Sequence, residues 1–83
     1  MRENESVRDY RLEVCCKNSD GSFRTLCVHQ FQSLDVRDAR TSADIWLAGM
    51  TPPLEAASHV LLFMGSRTVC TRPINRRVWE TLG

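Results

Sequence analysis

Along residues 9–16 the chain alternates, with Tyr10, Leu12, Val14 and Cys16 on one side and Asp9, Arg11, Glu13 and Cys15 on the other. A period of two predicts a strand with one buried face. KNSDGS follows, and its Asp20-Gly21 pair predicts a two-residue hairpin turn, because both positions tolerate positive φ. Centring the turn there sets Tyr10 against Phe31, Leu12 against His29, Val14 against Cys27 and Cys16 against Thr25. The apolar sets then coincide, as a buried face requires. On the opposite face Arg11 meets Gln30, Glu13 meets Val28 and Cys15 meets Leu26. Cys15, Leu26 and Val28 thus form a small apolar patch on a polar face, through incidental exposure, cover from the tail, or use as a contact surface.

From residue 33 to 50 the period changes. Val36, Ala39, Ala43, Trp46 or Leu47, and Met50 recur at helical spacing, leaving Arg37, Arg40 and Asp44 outward. Ser33 or Asp35 can cap the start, and Gly49 with Thr51-Pro52-Pro53 ends it. After LEAAS, residues 60–64 are apolar at every position, which predicts a central strand covered at least partly on each side. Gly65 supplies the positive φ of a type II′ turn beside Ser66, and residues 67–72 return as the partner strand, with His59 opposite Arg72. Pairing should weaken at Pro73, which has no N–H. In the tail, Ile74, Val78 and Leu82 are four apart, consistent with a turn or two of helix, or with an extended segment carrying Trp79.

The pattern predicts an α+β fold, hairpin-helix-hairpin (ββαββ), with one helix packed on a four-stranded, largely antiparallel sheet. With 83 residues, 1–83 forms a single domain, its polar residues 1–6 frayed. Hydrophobic residues are 42% and charged residues 25%, which excludes wholesale disorder. No apolar run reaches the ~20 residues a membrane span needs, and MRENESVRDY has no signal-peptide core, so the expected location is cytoplasmic.

A net charge of +1 argues against bulk electrostatic binding of nucleic acid. The basic residues are nearly all Arg, a bias that a GC-rich genome would also produce. Cys15, Cys16, Cys27 and Cys70 form no C-x-x-C pair; in the cytosol they read as reduced, buried small hydrophobes. A zinc site could draw on Cys15 or Cys16, Cys27, Cys70 and a His, but no pair has ligand spacing, so neither metal nor cofactor is expected.

Catalytic motifs are lacking as well: no phosphate-binding glycine loop, no zinc-protease motif, no nucleophile elbow. His29 reads as a core or rim residue on the buried face, and His59 begins a strand. The expectation is a non-enzymatic protein that works through a surface. Arg67, Arg72, Arg76 and Arg77, with Trp79 close by, concentrate near the C-terminus, and Arg and Trp are the side chains most enriched at protein-binding hot spots. Those five residues are the candidate partner-binding set, expected to be exposed; the competing reading folds Trp79 back over the sheet.

The order hairpin, helix, hairpin, ending in VLLFMGSRTVCTRPINRRVW, resembles small phage-encoded anti-CRISPR proteins. The resemblance spans residues 58–78 and the preceding helix, and rests on a C-terminal hairpin that turns on Gly-Ser before a basic residue and closes on an Ile beside a Pro. Here the closing order is Pro73-Ile74, reversed from that pattern, and the cysteines are an addition to it. The resemblance implies a phage-encoded inhibitor that binds a type I CRISPR surveillance complex in the host cytoplasm. It would block target-DNA engagement or nuclease recruitment, with weak or no direct nucleic-acid binding. The alternative is a small nucleic-acid-binding module that uses the Arg-rich C-terminus, or a subunit of a phage or bacterial assembly.

Overall fold

The computed structural model describes residues 7–49, 57–76 and 78–82; the expectations for residues 1–6, Met50 and the Thr51-Pro52-Pro53 stop lie outside them. The elements are β1 (Arg8–Lys17), β2 (Phe23–Ser33), α1 (Val36–Ala48), β3 (His59–Met64), β4 (Arg67–Pro73) and β5 (Glu80–Thr81). All strands join one antiparallel sheet in the order β2-β1-β3-β4-β5. The class is α+β, with five strands where four were expected. The fifth replaces the helical turn that the spacing of Ile74, Val78 and Leu82 allowed. Thr81 pairs with Cys70 and Glu80 with Thr71, and the Leu82 N–H donates to Val69 O at 2.9 Å. Strand pairing gives β4 a second neighbour, whereas a helix this short would carry an unfavourable nucleus.

The first hairpin reaches the expected register by an unexpected route. Its loop has three residues, not two. The Gly21 N–H donates to Asn18 O at 3.0 Å, the Asn18 N–H to Ser22 O at 2.7 Å, and Gly21 takes the left-handed φ of 93° that closes such a loop. The extra residue shifts the pairing by one, so Cys15 meets Thr25 and Cys16 meets Arg24. A β-bulge that leaves Leu26 without a counterpart then restores Val14 to Cys27, Leu12 to His29 and Tyr10 to Phe31. The expected pairs Cys15–Leu26 and Cys16–Thr25 do not form.

In the second hairpin Gly65 has φ 66° and no non-glycine residue among those described has positive φ, as a type II′ turn requires. Pairing starts at Met64–Arg67 and Phe63–Thr68, then a bulge leaves Val69 over. Beyond it Leu62 meets Cys70, Val60 meets Arg72 and His59 meets Pro73, not Arg72. A one-residue shift changes the face on which every later side chain sits.

Asp35 caps α1 by accepting the Asp38 N–H at 2.8 Å, and the Ser33 hydroxyl bonds the Asp38 carboxylate. The helix buries Ala39, Ala43 and Leu47. Two alanines at the contact let it lie close to the sheet, over a core of Leu12, Val14, Val60, Leu62 and Cys70. Trp46 stacks on His29 at 4.5 Å, and the column continues through Phe31 to Tyr10. No described helix is long and apolar enough to cross a membrane.

All four cysteines are free thiols, Cys15 and Cys70 buried, Cys16 and Cys27 partly exposed. Burial raises the pKa of Cys15 and Cys70 above the ordinary 9.0. The unfolded thiols therefore lose protons first as pH rises, so the contribution of these two groups to stability is complete below pH 9 and is lost above it. Melting temperature should fall more steeply above about pH 9 in the native protein than in Cys70→Val; equal slopes would contradict this. Gly65→Ala should cost about 1 kcal/mol, because an L side chain resists the φ of 66°, while a D-alanine at that position should not; urea unfolding of the two reads the difference.

Candidate partner-binding surface

Residues expected together at the surface divide between inside and outside. Because of the bulge at Val69, Arg72 shares the helix side of the sheet with Val60 and is only 5% exposed. Its Nη1 donates to Asp44 Oδ1 at 2.9 Å and its Nη2 to Ile74 O at 3.2 Å. The Trp79 indole N–H donates to the same Asp44 oxygen at 3.0 Å, with the Arg72 guanidinium 5.6 Å from the ring centre. Asp44 is thus turned toward the sheet, not outward, and Trp79 is folded back against the core. The expectation that Arg72 is exposed is corrected: it fastens α1 to β4. Of the other candidates, Arg67 and Arg76 are exposed, and Arg77 lies outside the described residues.

The opposite face of the sheet is different in kind. Helix α1 lies on the Leu12 side, and no described element crosses the other. There β3 presents Leu61 and Phe63, β2 presents Val28, and a groove of about 390 Å³ is lined by Phe23, His59, Leu61, Pro73 and Leu82 together with Thr71, Arg72 and Glu80. Phe23 is 44% exposed, Val28 48% and Leu82 38%. Phe23 meets the His59 ring edge-on at 5.3 Å, which holds the groove's wall.

A polar strip runs beside the groove along β1. Arg11 lies over the Phe63 ring at 4.3 Å and pairs with Glu13 at 2.8 Å, and the Thr25 hydroxyl donates to Glu13 at 3.0 Å. Gln32 donates to Asp9 at 3.0 Å. An apolar centre with an ordered polar margin is the anatomy of a protein-binding surface.

Sequence reading placed Val28 on this face, yet did not bring Phe23, Leu61, Phe63 and Leu82 to it. The available signal was the strand apolar at every position, which implied at least partial cover on each side; α1 covers one side, and on the other Leu61 and Phe63 are half-buried, Phe63 beneath Arg11. The histidines take structural contacts: His29 stacks between Trp46 and Phe31, and His59 Nδ1 lies 3.0 Å from Ser58 Oγ, which also accepts the Lys17 N–H at 2.8 Å. Among the described residues no three His, Cys, Asp or Glu side chains gather as a metal site.

Comparison with known protein families, with curated proteins and with solved structures finds no match for this chain.

Asp44→Ala should destabilise the fold by about 3 kcal/mol, since it strands a buried guanidinium. Trp79→Phe, which removes one hydrogen bond, should cost about 1 kcal/mol. Urea unfolding checks both, and two losses below about 0.5 kcal/mol would show that the contacts do not hold the helix.

Proposed function

We propose that this chain is a non-enzymatic, protein-binding inhibitor that docks through the uncovered sheet face. The observation that carries the reading is the largely apolar groove between Phe23, His59, Leu61, Pro73 and Leu82, with Thr71, Arg72 and Glu80 also in its lining, open on a face that no described element covers. Monomeric soluble proteins rarely leave contiguous apolar surface exposed without a use for it. The resemblance to small phage-encoded anti-CRISPR proteins supplies the class of target, a type I CRISPR surveillance complex. Binding there would block target-DNA engagement or nuclease recruitment. Exposed Arg67 and Arg76 act as peripheral steering charges. Arg72 and Trp79 contribute indirectly, by holding the tail so that Leu82 closes the groove.

Nucleic acid is a weaker candidate as the direct partner, because Arg72 is committed to Asp44 inside the protein. The test mixes the purified protein with reconstituted type I surveillance complexes and reads complex formation and target-DNA binding. A stoichiometric complex is expected, and Leu61→Asp should weaken it at least about tenfold while leaving the circular dichroism spectrum unchanged. Arg67→Glu with Arg76→Glu should slow association more than it speeds dissociation. Tight, steeply salt-dependent binding to naked DNA, with no protein partner, would overturn the proposal.

A further inference from the structure

The sheet's two edges are guarded very differently. One ends in β5, two residues long; the other is β2, eleven residues long and, among the described residues, bonded only to β1. Natural edge strands are blunted by shortness, charge, proline or bulges. In β2 the bulge at Leu26 and the strand's one charge, Arg24, both sit toward the turn. Residues 27–33 carry neither charge nor proline and pair regularly with β1, while Val28, Gln30 and Gln32 are exposed. Along this stretch, every other residue turns its backbone N–H and C=O away from β1.

We infer that β2 is a dimerisation edge, pairing antiparallel with β2 of a second copy across a two-fold axis near Gln30. Charge placement selects that occupant. Arg24 lies at one end of β2, and the Asp38 carboxylate is anchored over the other end by the Ser33 hydroxyl, next to the capping Asp35. Antiparallel pairing sets each Arg24 toward the end of the other copy that carries Asp35 and Asp38 beside Arg8, twice by symmetry, whereas parallel pairing would set Arg24 beside Arg24. Two cations share that end: Arg8 stands opposite Ser33 on β1, and Arg37, between the two aspartates, is turned about 100° around the helix from Asp38. Centred on Gln30, the register places Val28 against Gln32 of the second copy and His29 against Phe31, so every pair is uncharged and each face meets its like. The two sheets become continuous. Their open faces then form one extended surface, which makes the docking unit two-fold symmetric.

Sedimentation over a range of protein concentrations tests the inference. The native protein should pass from monomer to dimer as concentration rises, and Gln30→Lys should raise the dissociation constant at least about tenfold by setting like charges opposite each other. Mixing Gln30→Lys with Gln30→Glu should restore the dimer as a heterodimer. Arg24→Glu, at the far end, should also weaken it, which keeps the inference testable if Gln30→Lys folds poorly. Leu61→Asp, on the open face, should leave dimerisation unchanged, so loss of the dimer and loss of the proposed docking are read separately. A protein that stays monomeric up to about 10⁻⁴ M, or a dimer that Gln30→Lys and Arg24→Glu leave intact and Leu61→Asp abolishes, would overturn it.

Discussion

The ion pair between Arg72 and Asp44 is the contact on which the rest of this small fold depends. Taking a guanidinium out of water costs several kcal/mol unless its donors are met, and here the Asp44 carboxylate meets Nη1 and the Ile74 carbonyl meets Nη2. The pair ties α1 to β4, while the stack of Trp46 on His29 ties it to β2. Those strands flank β1 and β3, so the helix is held at both margins over the residues that form the core. Trp79 bonds the same carboxylate and brings the tail back toward the sheet, where β5 completes the edge. In a chain of 83 residues, with little apolar area to spare, one hydrogen-bonded polar cluster can decide where the helix sits.

Two single-residue bulges make this arrangement possible. In the first hairpin the three-residue loop would set the buried alternation one position off, and Leu26 absorbs the error. In the second the turn is regular, and Val69 changes the face of everything after it. Without Val69 in excess, Arg72 would lie opposite His59 on the open face. With it, the guanidinium goes inside and the open face keeps Leu61, Phe63 and Thr71. The bulge therefore separates a face that holds the helix from a face that no described element covers.

The sequence shows what is local and hides what is not. The alternation from Tyr10 to Val14, the helical spacing of Val36, Ala39 and Ala43, and the positive φ at Gly65 each leave a mark within a few residues, and the structure follows them. The bulges leave none. Leu26-Cys27-Val28 and Val69-Cys70 are apolar runs, so an extra residue changes no visible pattern. Arg72 therefore read as exposed, opposite His59, while its grouping with Trp79 rested on their closeness in the chain and on the enrichment of Arg and Trp at binding hot spots. The fifth strand was hidden for a related reason, since its two residues pair only once β4 offers an edge. Part of the open face was legible, because a strand apolar at every position needs cover on both sides or has a use for being uncovered.

A double-mutant cycle between Arg72 and Asp44, read by urea unfolding of Arg72→Met, Asp44→Ala and the double variant, tests the central claim most directly. The two positions should couple by at least about 1.5 kcal/mol, and the double variant should be more stable than Asp44→Ala alone, because no charge is then left buried without its partner. Additive effects, with coupling inside experimental error, would mean that the pair does not hold the helix on the sheet.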